Sequence, residues 1–146
     1  PVVSSAASDV YKRQPKHCTS TQLEVIDDLH REEIEILNDF MRVLPNSDDD
    51  QIDEWLQRLE QQVLHHFKEE EACMKRFTCP GFKKHVEAHS EKLKVIREAR
   101  KNWDEERDLM QLWNFLEYDY MAWFEHHVRD YDLTAAEFIR QYEEGQ

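Results

Sequence analysis

The sequence is poor in the residues that build turns. Only two glycines and four prolines occur among 146 residues, whereas an all-β fold needs frequent turns that rely on these residue types. Long apolar runs are also lacking, because no stretch approaches the roughly 20 residues of a membrane-spanning helix. These absences argue against an all-β fold and lead us to expect no membrane partner.

Positive charge is scarce as well. The chain has 19 lysines and arginines against 32 aspartates and glutamates, which gives a net charge of −13. Such a charge disfavours nucleic acids and anionic membranes as partners. Cysteine is limited to three residues, an odd number without zinc-ribbon spacing. We therefore predict reduced thiols and a cytoplasmic protein; no protein partner is indicated.

Residues 1–19 are polar and show no helical periodicity. The letters DVYKRQ at positions 9–14 resemble a conceptual translation of a sequencing-library adaptor. We therefore predict a non-native or disordered tail over 1–19 and a folded domain over 20–146. His17 and Cys18 lie at the edge of this tail, and we assign them no role.

The remainder of the chain has apolar residues at alternating spacings of three and four, which is typical of helices in a bundle. Pro45 and the Pro80–Gly81 pair interrupt this pattern, since proline cannot continue a helix interior. The pattern predicts helices over 21–44, 50–77, 82–101, 105–129 and 134–144. Long helices with short connections predict an all-α fold, an up-down-up-down antiparallel four-helix bundle with a short C-terminal helix.

What the chain has in excess is histidine, with eight residues. His66 and Glu70 are four residues apart before the Pro-Gly break, and His85 and His89 are four apart after it. Residues i and i+4 lie on one face of a helix, so each helix presents two ligand-type side chains. Imidazole and carboxylate together suit iron, zinc or manganese, and bundle cores build metal sites from such pairs on facing helices.

Two histidine pairs are adjacent in sequence, and periodicity separates their members. His66 and His127 continue apolar stripes, whereas His65 and His126 continue more polar faces. The inward-facing set is therefore predicted to be His30, His66, Glu70, His85, His89 and His127. Each histidine has an alternative as an ordinary core residue. Burying the whole set without a metal, however, would leave polar groups unpaired at about 1–3 kcal/mol each.

Asp132 adds a carboxylate five residues after His127, where the fourth predicted helix ends. It has two interpretations, either as a further metal ligand or as the N-terminal cap of the helix that begins with DLTAAEF. Both interpretations stay open on the residues alone.

Four segments resemble one known family. HFKEEEACM at 66–74, HVEAH at 85–89, WFEHHVRDYD at 123–132 and DDLH at 27–30 are similar to motifs of the hemerythrins, in particular the bacterial hemerythrin-like proteins. The resemblance implies a non-haem centre of two iron ions with an oxo or hydroxo bridge, and it favours the ligand role of Asp132. It implies the following ligands: His85, His89 and His127 on one iron, His30 and His66 on the other, and Glu70 and Asp132 bridging both.

In this implied arrangement the iron with fewer histidines keeps an open coordination position, as reactive metal sites do. Dioxygen or another small diatomic molecule is then the expected partner. Phe67, Trp123 and Val128 flank the ligands in sequence, so they are candidate pocket residues as well as ordinary core residues. The function that the resemblance implies is reversible binding of dioxygen, for storage, delivery or sensing.

Glu33 departs from the family pattern, in which this position is usually apolar. It lies three residues after His30 on the inward face. As an extra ligand or an acid, it would favour an alternative function, a di-iron enzyme that reduces peroxide or nitric oxide or oxidises iron. If the helix turned so that Ile34 faced inward, Glu33 would reach solvent. We expect an oxygen-binding protein rather than an enzyme, and we name no catalytic residue.

Overall fold

The computed structural model describes residues 20–145. The predicted tail over 1–19 lies outside these residues, as does residue 146. The described part contains helices and no strand, namely α1 (Glu24–Val43), α2 (Asp49–Arg76), α3 (Phe82–Glu106) and a helical run over 109–144 that we call α4. None of these helices is long and apolar enough to cross a membrane. The fold is all-α, and the four helices form the predicted bundle.

The last helix, α4, is a single run of five helical segments. They are Leu109–Asn114, the π-helical Phe115–Tyr120, Met121–His127, the π-helical Val128–Asp132, and Leu133–Glu144. The interruption that we predicted between 129 and 134 is therefore wrong, because the C-terminal helix continues the fourth helix without a loop. No glycine or proline lies between 109 and 144 to break the backbone.

Local signals set the other helix ends. α1 stops before Pro45, in a 3₁₀ turn over Leu44–Asn46. α2 begins with a capping box, in which the Asp48 carboxylate accepts from the Gln51 backbone N–H and the Gln51 side chain accepts from the Asp48 N–H. Gly81, with a φ of 77°, turns the chain into α3, a conformation open to glycine at little cost. Each helix thus returns beside the one before it, with α1 packed on α2 and α2 on α3.

Two apolar clusters form the core. The larger includes Val63 on α2 and Phe124 on α4, and the smaller includes Met74 on α2 and Ala135 on α4. His66 and His127 lie alongside the larger cluster, which also contains Phe67 and Val128, whereas Glu70 and Asp132 lie between that cluster and the smaller one along their helices. Apolar residues therefore precede and follow the buried polar residues on both helices.

Candidate metal centre

Seven buried ligand-type side chains from all four helices meet in the interior of the bundle. They form two groups in which the candidate ligand atoms all lie within 4.8 Å of one another. One group is Glu70, His85, His89, His127 and Asp132, and the other is His30, His66, Glu70 and Asp132. Every member is buried, and both groups contain the same two carboxylates.

The carboxylate of Glu70 lies between the two groups. Its Oε1 lies 2.7 Å from Nε2 of His85 and 3.1 Å from Nε2 of His89. Its Oε2 lies 3.2 Å from Nε2 of His66 and 3.9 Å from Nε2 of His30. Each oxygen of Glu70 therefore faces a different set of histidines.

Asp132 divides its oxygens in the same way. Its Oδ1 lies 2.8 Å from Nε2 of His85 and 3.1 Å from Nε2 of His127, and its Oδ2 lies 2.8 Å from Nε2 of His30. Both carboxylates therefore direct one oxygen to each of the two histidine sets.

A π-helical turn brings Asp132 into the site. An α-helix turns about 100° per residue, so a residue five positions after His127 would point about 140° away from it. The segment Val128–Asp132 is π-helical, and a π turn closes its hydrogen bond between residues i and i+5. Asp132 therefore lies on the same face as His127. Its side chain makes no capping hydrogen bond to the helix Leu133–Glu144, so the structure does not support the capping interpretation.

One carboxylate oxygen of Asp132 is buried without a hydrogen-bond partner in the described part of the chain, which bears on whether the site fits a metal. Oδ1 is buried and has no hydrogen-bond partner among residues 20–145, although two imidazole nitrogens lie within 3.1 Å of it. The lone pairs of Oδ1 lie close to these imidazole nitrogens without a hydrogen bond to either of them, which is the arrangement of atoms that share a cation. Buried carboxylates and imidazoles suit a borderline transition metal such as iron, so the residues present fit a metal centre.

Protons compensate the charges of the site when no metal is bound. Burial raises the pKa of Glu70, but contacts with His66, His85 and His89 outweigh it and bring that pKa well below its usual value. Burial and the charge of Glu70 raise the pKa of Asp132, yet its histidine contacts lower it to about 2. Burial lowers the pKa of His85, but Asp132 and Glu70 raise it to about 9. The site therefore favours positive charge between its carboxylates.

Two carboxylates hold the outer nitrogens of ligand histidines. Nδ1 of His66 lies 2.7 Å from Oε1 of Glu33, and Nδ1 of His89 lies 2.7 Å from Oε2 of Glu71. Because a carboxylate accepts, each Nδ1–H donates, and Nε2 is left with its lone pair facing the site. We did not anticipate Glu71, since it lies in a run of three glutamates in which periodicity singles out only Glu70.

Glu33 is buried, with 1% of its surface exposed, so the alternative in which it reaches solvent is wrong. Ile34 is buried as well, which shows that the inward face of α1 is wide enough for both residues. Glu33 belongs to neither ligand group. Its Oε2 accepts a hydrogen bond of 2.9 Å from the Tyr120 hydroxyl, so both of its oxygens have donors. Glu33 therefore contacts the outer nitrogen of His66 and not the interior of the site.

Aromatic rings enclose the imidazoles. Phe67 stacks on His89 with ring centroids 3.8 Å apart, and Trp123 stacks on His127 at 4.5 Å. Tyr131, which we did not single out, also stacks on His127, with ring centroids 5.0 Å apart. Phe67 and Val128 belong to the larger apolar cluster and Trp123 packs against it. Of these three candidate pocket residues, Phe67 and Trp123 also stack on histidines of the site.

The adjacent histidine pairs separate as predicted. His66 and His127 are buried in the site, whereas His65 is exposed. The side chain of His126 is 65% exposed and lies 2.9 Å from Asp130. Neither His65 nor His126 belongs to a ligand group.

Replacing Glu33 by leucine should weaken both the fold and the metal site. The substitution leaves the His66 Nδ1–H and the Tyr120 hydroxyl without an acceptor, at about 1–3 kcal/mol for each buried group. Loss of the contact that orients His66 should reduce metal affinity by about 10–100-fold. Thermal unfolding and metal titration measure the two effects. Glu33→Gln, which keeps an acceptor for His66, should be milder, and Glu32→Leu on the exposed face is the control. Wild-type affinity in Glu33→Leu would contradict the orienting role.

Comparison with known proteins gives a family match and one curated relative. Residues 21–138 match the family model described as the hemerythrin HHE cation-binding domain. The chain is 28% identical over 112 residues to a protein named bacteriohemerythrin from Aquifex aeolicus (strain VF5), and this match covers 77% of the chain and 86% of that protein. No solved structure gave a significant match.

Proposed function

The chain belongs to the hemerythrin HHE family of cation-binding domains, and on this premise we propose that its metal site holds two iron ions and binds dioxygen reversibly. The observation that carries the proposal is the division of the oxygens of Glu70 and Asp132 between two histidine sets. A single ion would not need two carboxylates that each face two ways.

The histidines would share the two ions unequally. His85, His89 and His127 would hold one ion, and His30 and His66 the other, with Glu70 and Asp132 as bridges. The ion held by His30 and His66 would have fewer protein ligands and would be the one open to a small molecule. The ferrous pair would supply the two electrons that dioxygen takes up on binding and returns on release.

Aromatic side chains keep water from this open side. Phe124 lies edge-on to His30 at 5.5 Å, and Phe67 lies 5.3 Å from His66. Both rings are buried. A dry wall slows the arrival of protons, and proton delivery would convert reversible binding into reduction. The apolar wall therefore supports binding over turnover.

The contacts of Glu33 favour the same function. Its two oxygens accept from His66 and Tyr120. Although burial raises the pKa of this carboxyl, the hydrogen bond from His66 lowers it below its usual value. Glu33 is thus an ionised acceptor with no proton to give. A di-iron enzyme with Glu33 as its acid, the alternative function, would need a different position of this side chain.

Oxygen cycling of the iron-loaded protein tests the proposal. Reduced protein should change its visible spectrum on exposure to dioxygen, and argon should restore the reduced spectrum over repeated cycles. Iron analysis should give two ions per chain, one for each ligand group. A spectrum that argon does not reverse, together with fast turnover of peroxide or nitric oxide, would favour the enzyme instead.

Cys73 and Cys79 are free thiols, which agrees with the reducing cytoplasm that we propose as the location.

A further inference from the structure

Lys92 is a buried cation that the proposed function does not use. It lies on α3, three residues after His89, and only 1% of its surface is exposed. Its Nζ has no hydrogen-bond partner within the described range 20–145. An ammonium group without partners is costly in a protein interior unless its charge is compensated in another way.

Aromatic rings from α4 surround this ammonium group. Nζ lies 3.9 Å from the ring centroid of Tyr120, 4.5 Å from that of Trp123 and 5.8 Å from that of Phe115. Cations are attracted to the electron-rich faces of such rings, more strongly when water is excluded. The rings therefore fix the position of the charge without giving it a hydrogen bond.

Two of these rings connect Lys92 with the two halves of the metal site. The hydroxyl of Tyr120 donates to Glu33, and Glu33 accepts from His66. Trp123 stacks on His127 with an angle of 12° between the rings. The ring of Tyr120 therefore separates the ammonium group from Glu33, and the ring of Trp123 separates it from His127.

The charged groups that act on Lys92 are acidic. Glu33 on α1 and Asp119 on α4 both raise its pKa, but burial has the larger effect and lowers it to about 7. Neither carboxylate forms an ion pair with Lys92 in the described structure. Tyr120 lies between the two opposite charges, since its ring face contacts the ammonium and its hydroxyl contacts the Glu33 carboxylate. Donation to a carboxylate increases the electron density of the phenol ring, so each contact strengthens the other.

We propose that Lys92 is the counter-charge of Glu33, acting through Tyr120, and that it raises the reduction potential of the metal centre. Glu33 makes His66 a stronger electron donor, which favours oxidised iron. The positive charge of Lys92 opposes this effect and protects the reduced state that binds oxygen. This inference rests on the proposed function, and it makes Lys92 a positioning residue because it acts through Tyr120 and Glu33.

A double-mutant cycle in the metal-free protein tests the charge coupling. Lys92→Met keeps the length and apolar stem of the side chain but removes its charge. Burial of the charge and its attraction to Glu33 act in opposite directions, so the difference between backgrounds is the test: relative to its parent, Lys92→Met should give a lower melting temperature when Glu33 is present than in a Glu33→Gln background. Lys94→Met, at a side chain that is 72% exposed, should have no effect in either background. Equal effects of Lys92→Met in both backgrounds would overturn the coupling.

Redox titration of the iron-loaded variants tests the second half of the proposal. Lys92→Met should lower the reduction potential, because losing a nearby positive charge stabilises the oxidised ions. Lys92→Arg, which keeps the charge, should retain most of the wild-type potential. It is the variant to titrate if Lys92→Met folds poorly. An unchanged potential in Lys92→Met would overturn the tuning role. If the protein held no iron pair, the proposed function would fail, while the metal-free cycle would still decide whether Lys92 and Glu33 are coupled.

Discussion

Replacing Glu70 by glutamine should remove at least one of the two proposed iron ions. Glu70 is fully buried and places one oxygen before His85 and His89 and the other before His66 and His30. A glutamine has only one carbonyl oxygen and no negative charge, so it cannot bridge two cations. We expect iron content to fall to one ion per chain or less, and oxygen-dependent spectral changes to disappear.

The neighbouring residue gives a matched control for this substitution. Glu69 lies on the same helix and is exposed, so Glu69→Gln makes the same chemical change outside the site. Its iron content and oxygen cycling should equal those of the wild type. Elemental analysis after gel filtration measures the iron content of both variants. Two tightly held ions in Glu70→Gln would contradict the bridging role.

Stripping the iron should lower the melting temperature by about 10 °C or more. A ligand that binds only the folded state stabilises it by about 4 kcal/mol at a free concentration of 1,000 times its dissociation constant. For a domain of this size each kcal/mol shifts the melting temperature by about 2–4 °C. The seven buried candidate ligands do not form this site in the unfolded chain, so metal affinity would become folding stability.

The loss on stripping should also depend on pH. In the metal-free protein the pKa of His85 is raised from 6.5 to about 9. The stability that protonated His85 contributes is therefore complete below pH 6.5 and is lost as pH rises through about 9. Metal binding needs neutral imidazoles instead. The gap in melting temperature between loaded and stripped protein should thus widen between pH 6.5 and 9.

Circular dichroism melts of loaded, stripped and reloaded protein at several pH values measure both effects. Reloading with ferrous iron should restore the original melting temperature, which separates metal loss from damage during stripping. The same melting temperature before and after verified removal of iron would contradict a buried metal site.

The helical pattern and the inner histidines followed from sequence alone. Period and spacing are local properties, so the register that places His66 inward and His65 outward could be derived from the apolar residues of the same helix. The i, i+4 spacing of His66 and Glu70, and of His85 and His89, needed no knowledge of the neighbouring helices.

Only the three-dimensional structure decided the position of Asp132. With α-helical geometry this residue would face away from His127. The amino-acid sequence around residues 128–132 does not distinguish a π turn from a loop. The tertiary contacts of the last segment, where Ala135 and Ile139 pack with Met74 on α2, are compatible with the π turn that points Asp132 inward.

The partners of the outer nitrogens also depended on tertiary structure. Glu33 and Tyr120 are 87 residues apart, and Glu71 and His89 are 18 apart on different helices. The spacing of residues within each helix predicts which polar side chains are turned inward. Which side chains then meet across the inward faces depends on the rotation and axial offset of one helix against another. These quantities are set by packing of the whole core, because no local pattern encodes the distance between two helices.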